Sequence, residues 1–74
     1  MDRNTYRRFP ERDLIGLRVR STRSLGNKLG RMPEGAIFTI KKKWGGLTLE
    51  SDPCHHCGIK LRIANVDPRD VEFE

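Results

Sequence analysis

The loop Cys54-His55-His56-Cys57-Gly58 holds the most distinctive chemistry of the sequence. Its Cys-x-x-Cys spacing lets two thiolates face one zinc ion, and Gly58 permits a tight turn after the second cysteine. A structural zinc site takes four ligands, and this loop contains every cysteine and histidine of the chain. The spacing therefore predicts, as one possibility, half of a zinc site at Cys54 and Cys57. A second copy of the chain would complete it as a zinc-bridged dimer.

Two other interpretations of this loop stay open. Redox-active Cys-x-x-Cys pairs begin a helix, which lowers the thiol pKa, whereas Cys54 and Cys57 join two predicted strands. A disulfide between them would close a very short loop and would stabilise the fold little. Otherwise the loop is a polar turn with two incidental cysteines, and the chain needs no cofactor.

Catalytic patterns are absent from the rest of the sequence. It contains no nucleophile elbow, no phosphate-binding loop and no zinc-protease motif. Its aspartates fall in predicted loops or at element ends, where Asp usually serves caps and turns. A chain of 74 residues is also too short to enclose a deep pocket. We therefore expect a binding module that is not an enzyme.

Positive charge is concentrated near the N-terminus. Residues 1–31 hold nine Lys and Arg but three Asp and Glu, a net charge of +6, whereas the whole chain carries +5. This asymmetry is typical of contact with nucleic acid or an acidic protein surface, although a solubilising surface has the same composition. The candidate nucleic-acid-binding residues are Arg7, Arg8, Arg18, Arg20, Arg23, Lys28, Arg31, Lys41, Lys43 and Trp44.

Trp44 and the cations of the strands each allow two interpretations. Trp44 follows three lysines and, if exposed, could stack on a base; otherwise it shares the parity of Phe38 and Ile40 and caps the core. A continuous basic patch forms only if the first and fourth strands are close in space, since it would combine Arg18 and Arg20 with Lys60 and Arg62.

Alternating apolar and polar residues from Leu14 onward predict five short strands. The Gly45-Gly46 pair predicts a tight hairpin, and Asp67 followed by Pro68 predicts one short helical turn. Residues 1–13 are predicted to be a basic, flexible arm, and residues 22–35 a long loop whose Leu25, Leu29 and Met32 cap the core. The side chains expected to point inward are Ile15, Leu17, Val19, Phe38, Ile40, Leu47, Leu49, Ile59, Leu61, Ile63, Val71 and Phe73.

This order of elements, with the run from Val66 to Phe73, resembles the SH3-like barrel over residues 14–74. The resemblance implies an all-β, five-stranded SH3-like barrel with one short 3-10 turn before the last strand. Tyr6 is the only tyrosine, so the aromatic groove of proline-binding SH3 domains is not expected. The spacing of Gly16, Val19, Gly26 and Gly30 loosely resembles KOW-type modules, which bind RNA or the ribosomal and transcription machinery.

The stretches GGLTLESDPCHHCGIKLRI and DPRDVEF resemble small uncharacterised proteins of phages and prophages. That likeness implies no defined activity. The alternative to nucleic-acid binding is a protein–protein interaction or assembly module of phage or prophage origin. No apolar run has the length of a membrane span and no signal peptide is evident, so we expect no membrane partner and a cytoplasmic location.

Overall fold

The structure is a computed structural model that describes residues 1, 3–28, 30–53, 58 and 60–74. Most of its regular structure is β, which confirms the predicted all-β character. The strands are β1 (Arg18–Ser21), β2 (Leu25–Asn27), β3 (Gly30–Met32), β4 (Ile37–Lys43), β5 (Leu47–Ser51), β6 (Arg62–Val66) and β7 (Val71–Phe73). The helices are α1 (Arg3–Arg8), α2 (Glu11–Leu14) and a 3-10 turn (Pro68–Asp70).

Five strands form one antiparallel sheet in the order β6-β5-β4-β1-β7, and β2 and β3 form a separate hairpin. Within the described residues the two edge strands, β6 and β7, are not hydrogen-bonded to each other, so the sheet is not closed into a barrel. One core cluster nevertheless holds Ile63 and Val66 from β6 together with Val71 from β7. The sheet must therefore curl around this shared core.

The β4–β5 hairpin agrees with its prediction. Phe38 and Ile40 of β4 and Leu47 and Leu49 of β5 are fully buried, as their alternation with polar residues requires. The turn uses Gly45 and Gly46, both at positive φ, 62° and 113°. Glycine adopts this backbone region without steric cost, which explains why the chain reverses here.

The segment predicted as an arm contains two short helices. Pro10, at φ −67°, precedes α2, and Glu11 and Asp13 lie in its first turn, where negative charge is favourable. Leu14, the last residue of α2, is fully buried in the core, and Tyr6 of α1 packs against that core. The mobility of residues 1–13 stays a prediction.

The first and last strands differ from the prediction at their ends. Ile15 and Leu17 are 44% and 40% exposed, so their predicted inward orientation is wrong. Helix α2 buries Leu14 instead, and Gly16, at φ 91°, turns the chain before β1 begins. Phe73 was also expected inside, but it is 43% exposed because it ends an edge strand.

The region around the 3-10 turn is predicted well. Asp67 caps the turn, since its side chain accepts a hydrogen bond from the Arg69 N–H at 2.9 Å. Ile63 is buried as expected, Leu61 is half-buried, and Ile59 lies outside the described residues.

The long loop is partly ordered as the β2–β3 hairpin. Leu25 is buried and Met32 packs against the core, which confirms their predicted capping role. Leu29 lies outside the described residues.

Candidate nucleic-acid interface

Most candidate cations of the sheet are paired with carboxylates. Arg18 donates two hydrogen bonds to Asp52, at 3.1 and 2.8 Å, and lies 3.4 Å from a carboxylate oxygen of Glu74. The hydrogen bond from Arg18 lowers the pKa of Asp52 below its ordinary value. Arg20 lies 3.8 Å from Glu72, its cross-strand neighbour on β7. Both arginines therefore have carboxylate partners within the fold.

A second group of cations surrounds the carboxylate of Glu50, whose side chain is only 21% exposed. Lys41 lies 4.0 Å from it, Lys60 3.5 Å and Arg62 3.9 Å. Because β4 and β5 separate β1 from β6, the cations of β1 do not meet those of β6, and Glu50 lies on an intervening strand. The continuous basic patch predicted for adjacent strands does not form.

The three candidate cations of the loop over residues 22–35 differ in their contacts. Arg23 pairs with Asp70 at 2.8 Å, and Arg31 donates a hydrogen bond to the Ser24 hydroxyl at 3.1 Å. Lys28 is exposed at the tip of the β2–β3 hairpin. Of these three, Lys28 is the residue whose charge is least committed to the fold.

Trp44 lies at the tip of the β4–β5 hairpin and is 82% exposed, so its predicted role as a core cap is wrong. The physical reason is a register shift between Ile40 and Lys42 in the pairing of β4 with β5. A bulge of this kind breaks the alternation of side chains, so the parity that Trp44 shares with Ile40 no longer places it inside.

Helix α1 lies against this hairpin. The Tyr6 hydroxyl donates to the carbonyl of Gly46 at 3.4 Å and accepts from the Gly46 N–H at 3.3 Å. Arg7, the next residue, lines a cavity of about 360 Å³ together with Gly45 and Gly46. The folding of α1 onto the hairpin therefore brings Arg7 of the basic segment close to the turn that carries Trp44.

Lys43 completes this arrangement from the strand side. Its ammonium group lies 4.6 Å from the centre of the Tyr6 ring and donates to the carbonyl of Phe9 at 2.7 Å, while its backbone N–H donates to Glu11. Lys43 thus fixes the N-terminal segment to β4 and retains its charge beside the hairpin.

The side chains around this turn form what we call the Trp44 site, which consists of Tyr6, Arg7, Lys42, Lys43 and Trp44. Arg7 and Lys42 are exposed, as is Arg8 at the end of α1. No carboxylate within the described ranges lies at ion-pair distance from these three cations. An exposed aromatic ring and exposed cations therefore lie close to the same hairpin turn.

The predicted zinc ligands Cys54 and Cys57 lie outside the described residues. The described part of the chain contains no cluster of three Cys, His, Asp or Glu side chains suited to a metal. It also contains no helix with the length and apolar character that crossing a membrane requires. Comparison of the chain with protein-family models, curated proteins and solved structures gives no match.

Sequence reasoning missed the carboxylates that neutralise the strand cations, chiefly Glu50 and Asp52. The predicted alternation places Glu50 on the outer face, but a strand order is needed to know which cations it meets. Sequence reasoning also missed the contact of Tyr6 with the β4–β5 hairpin, which spans 40 residues of sequence.

Proposed function

We propose that this chain is a non-enzymatic module that binds single-stranded nucleic acid at the Trp44 site. The observation that carries the proposal is the 82% exposure of the Trp44 indole beside cations without carboxylate partners in the described structure. Proteins that bind single strands combine aromatic rings, on which bases stack, with basic side chains that follow the phosphates. The Trp44 site offers both kinds of group close to one hairpin turn.

An exposed tryptophan also needs a physical reason. Burying a large apolar side chain stabilises a fold by about 1.5–3 kcal/mol, and a chain of 74 residues has few such side chains to spare. Trp44 makes no such contribution here, since the turn holds it away from the core. The fold therefore forgoes the stability that burying the Trp44 side chain would provide. This loss is consistent with a side chain whose contacts form only with a partner.

The candidate residues then divide into two groups. The proposed binding surface is the Trp44 site together with the neighbouring Arg8, so its cations are Arg7, Arg8, Lys42 and Lys43. The remaining candidates are paired within the fold or lie on other surfaces, and they act at most through the overall positive field. Those remaining candidates are Arg18, Arg20, Arg23, Lys28, Arg31 and Lys41.

We also propose that the curled sheet, although open between β6 and β7, has the strand arrangement of an SH3-like domain. Its support is the pairing of the last strand, β7, with the first, β1, and the 3-10 turn that directly precedes β7. Fold alone says little about function, so the assignment above rests on the surface around Trp44 and not on the likeness.

Salt dependence tests the function, measured by fluorescence anisotropy of a labelled 12-residue oligothymidylate. Affinity should fall steeply with salt, and each phosphate contact removed should reduce the slope of log K against log salt by about 0.7. We expect Arg7→Ala and Lys42→Ala each to weaken binding. Arg20→Ala is the matched control, because that arginine is paired with Glu72. Absence of binding at low salt, or equal losses for Arg7→Ala and Arg20→Ala, would contradict the proposal.

A second candidate function is assembly with another protein through an exposed apolar cluster. Phe9 and Phe73 pack edge to face with ring centres 6.5 Å apart, yet 37% and 43% of their surfaces remain exposed. Ile15 and Leu17 are exposed as well. Sedimentation of the wild type and Phe73→Ser over a range of concentrations tests one form of this candidate, assembly with a second copy of the chain. If the wild type associates and Phe73→Ser does not, the candidate is supported. If the wild type is monomeric at all concentrations, self-association is contradicted.

A further inference from the structure

Asn65 has an unusual backbone conformation. Its φ of 58° makes it the one non-glycine residue at positive φ among the described residues. It lies in β6 where the pairing with β5 shifts register, between the pairs Leu47–Val66 and Leu49–Ile63. Asparagine tolerates this region better than most residues, yet positive φ still carries a cost, and such residues concentrate at functional sites. The bulge turns Asn65 to the surface, where it is exposed.

This bulge lies directly against the hairpin that carries Trp44. A Cβ atom on Gly46 would lie 3.2 Å from the Asn65 Cα and 3.0 Å from the Val66 carbonyl oxygen, so a larger residue there would push these backbone atoms away by a few tenths of an ångström. A Cβ on Gly45 would lie 3.5 Å from the side-chain oxygen of Asn65. The amide of Asn65 is therefore close to the turn residue that follows Trp44.

Asn65 also lies where two cavities meet. The 360 Å³ cavity beside Arg7 and a second cavity of about 290 Å³ beside Arg31 are both lined by Asn65, Val66 and Asp67. Within the described part of the chain the Asn65 amide makes no hydrogen bond, so its donor and its acceptor have no partner there. Asp67 is occupied with Arg69.

We infer that Asn65 is a specificity-determining residue that reads one base of a single strand whose neighbouring base stacks on Trp44. This inference rests on the proposed function and adds the recognition of a base edge to it. An asparagine amide presents a donor and an acceptor side by side, the pattern that pairs with N6 and N7 of adenine. Arg7, on the same cavity, is placed to contact the phosphate of the base that enters.

The test compares Asn65→Gly with the wild type, using eight-residue oligodeoxynucleotides of adenine, thymine and cytosine. Glycine keeps the positive φ, so the bulge should persist while the amide is removed. The adjacent, exposed Ala64 provides the matched control, Ala64→Gly, which removes no polar group. Thermal unfolding of both variants establishes that they fold.

We expect the wild type and Ala64→Gly to bind the adenine strand about tenfold more tightly than the others, and Asn65→Gly to bind all three alike. The salt slope should be unchanged in Asn65→Gly, because no phosphate contact is lost. Binding without base preference in the wild type, or the same preference in Asn65→Gly, overturns the role of Asn65 but leaves the Trp44 site in place. Absence of binding to every strand overturns both.

Discussion

The phenolic hydroxyl of Tyr6 exchanges two hydrogen bonds with the backbone of Gly46, donating to its carbonyl at 3.4 Å and accepting from its N–H at 3.3 Å. One end of this contact lies in a short helix of the basic N-terminal segment and the other in a tight hairpin. A helix of six residues is marginal alone, so such contacts are what hold it in place. The Trp44 site exists because these two segments meet.

Replacing Tyr6 by Phe should destabilise the fold by about 1 kcal/mol, the usual contribution of a buried or half-buried hydrogen bond. The substitution removes both hydrogen bonds and leaves the Gly46 N–H without its partner, while the ring beneath Lys43 remains. Denaturant unfolding measures the difference. An unchanged midpoint would mean that the hydroxyl does not hold α1 against the hairpin.

Gly46→Ala should cost more stability than Gly35→Ala. Both glycines have positive φ, 113° and 86°, so both substitutions incur about 1–2 kcal/mol of backbone strain. A Cβ at Gly46 would in addition lie 3.0–3.2 Å from backbone atoms of Asn65 and Val66, whereas at Gly35 it would meet open space. Free energies of unfolding for the two variants give the comparison, and equal losses would contradict the close approach of hairpin and bulge.

Leu14→Ala and Ile15→Ala form a matched pair that tests which side chain the N-terminal segment buries. Leu14 is fully buried, so its truncation should cost about 2–4 kcal/mol. Ile15 is 44% exposed, and its truncation should cost well under half as much. Urea unfolding of both variants decides the matter. A larger loss for Ile15→Ala would restore the alternation expected from the sequence.

The pairing of Arg18 with Asp52 should be visible in the titration of Asp52. The hydrogen bond from Arg18 lowers the pKa of this carboxyl below its ordinary value of 3.8. Because the folded-state pKa is depressed, the stability that the pair contributes is present above the unfolded-state pKa and is lost as the pH falls through the folded-state value.

NMR of the Asp52 carboxyl carbon follows this titration directly. We expect Arg18→Met to raise the pKa toward 3.8, and Arg20→Met, the control, to leave it unchanged because Arg20 pairs with Glu72. High salt should shrink the shift, since both groups are exposed. An Asp52 pKa that is identical in the wild type and Arg18→Met would show that the pair does not persist in solution.

The sequence predicts the parts of the fold that depend on local chemistry. Alternation locates Phe38, Ile40, Leu47 and Leu49 inside, since each lies in a strand with one buried face. The Gly45-Gly46 turn and the Asp67 cap follow from backbone conformations that few other residues allow. These features need no knowledge of distant residues.

The features that were missed depend on tertiary contacts. Alternation predicts Ile15 inside, but α2 forms because Leu14 can reach the core that the sheet provides. The bulge between Ile40 and Lys42 reverses the side on which Trp44 emerges, and no local signal marks it. The carboxylate partners of Arg18 come from sequence positions 34 and more residues away, so the neutralisation of the strand cations requires the strand order.

Stacking of a base on Trp44, which is the central claim, can be measured directly by fluorescence. Trp44 is the only tryptophan of the chain, so its indole emission is a specific probe. Titration with single-stranded oligonucleotide should quench the indole emission. The dissociation constant fitted to this quenching should equal the one measured by anisotropy. Duplex of the same length should quench less, because its bases are already stacked. Binding of the single strand by anisotropy without any change in tryptophan emission would contradict the claim.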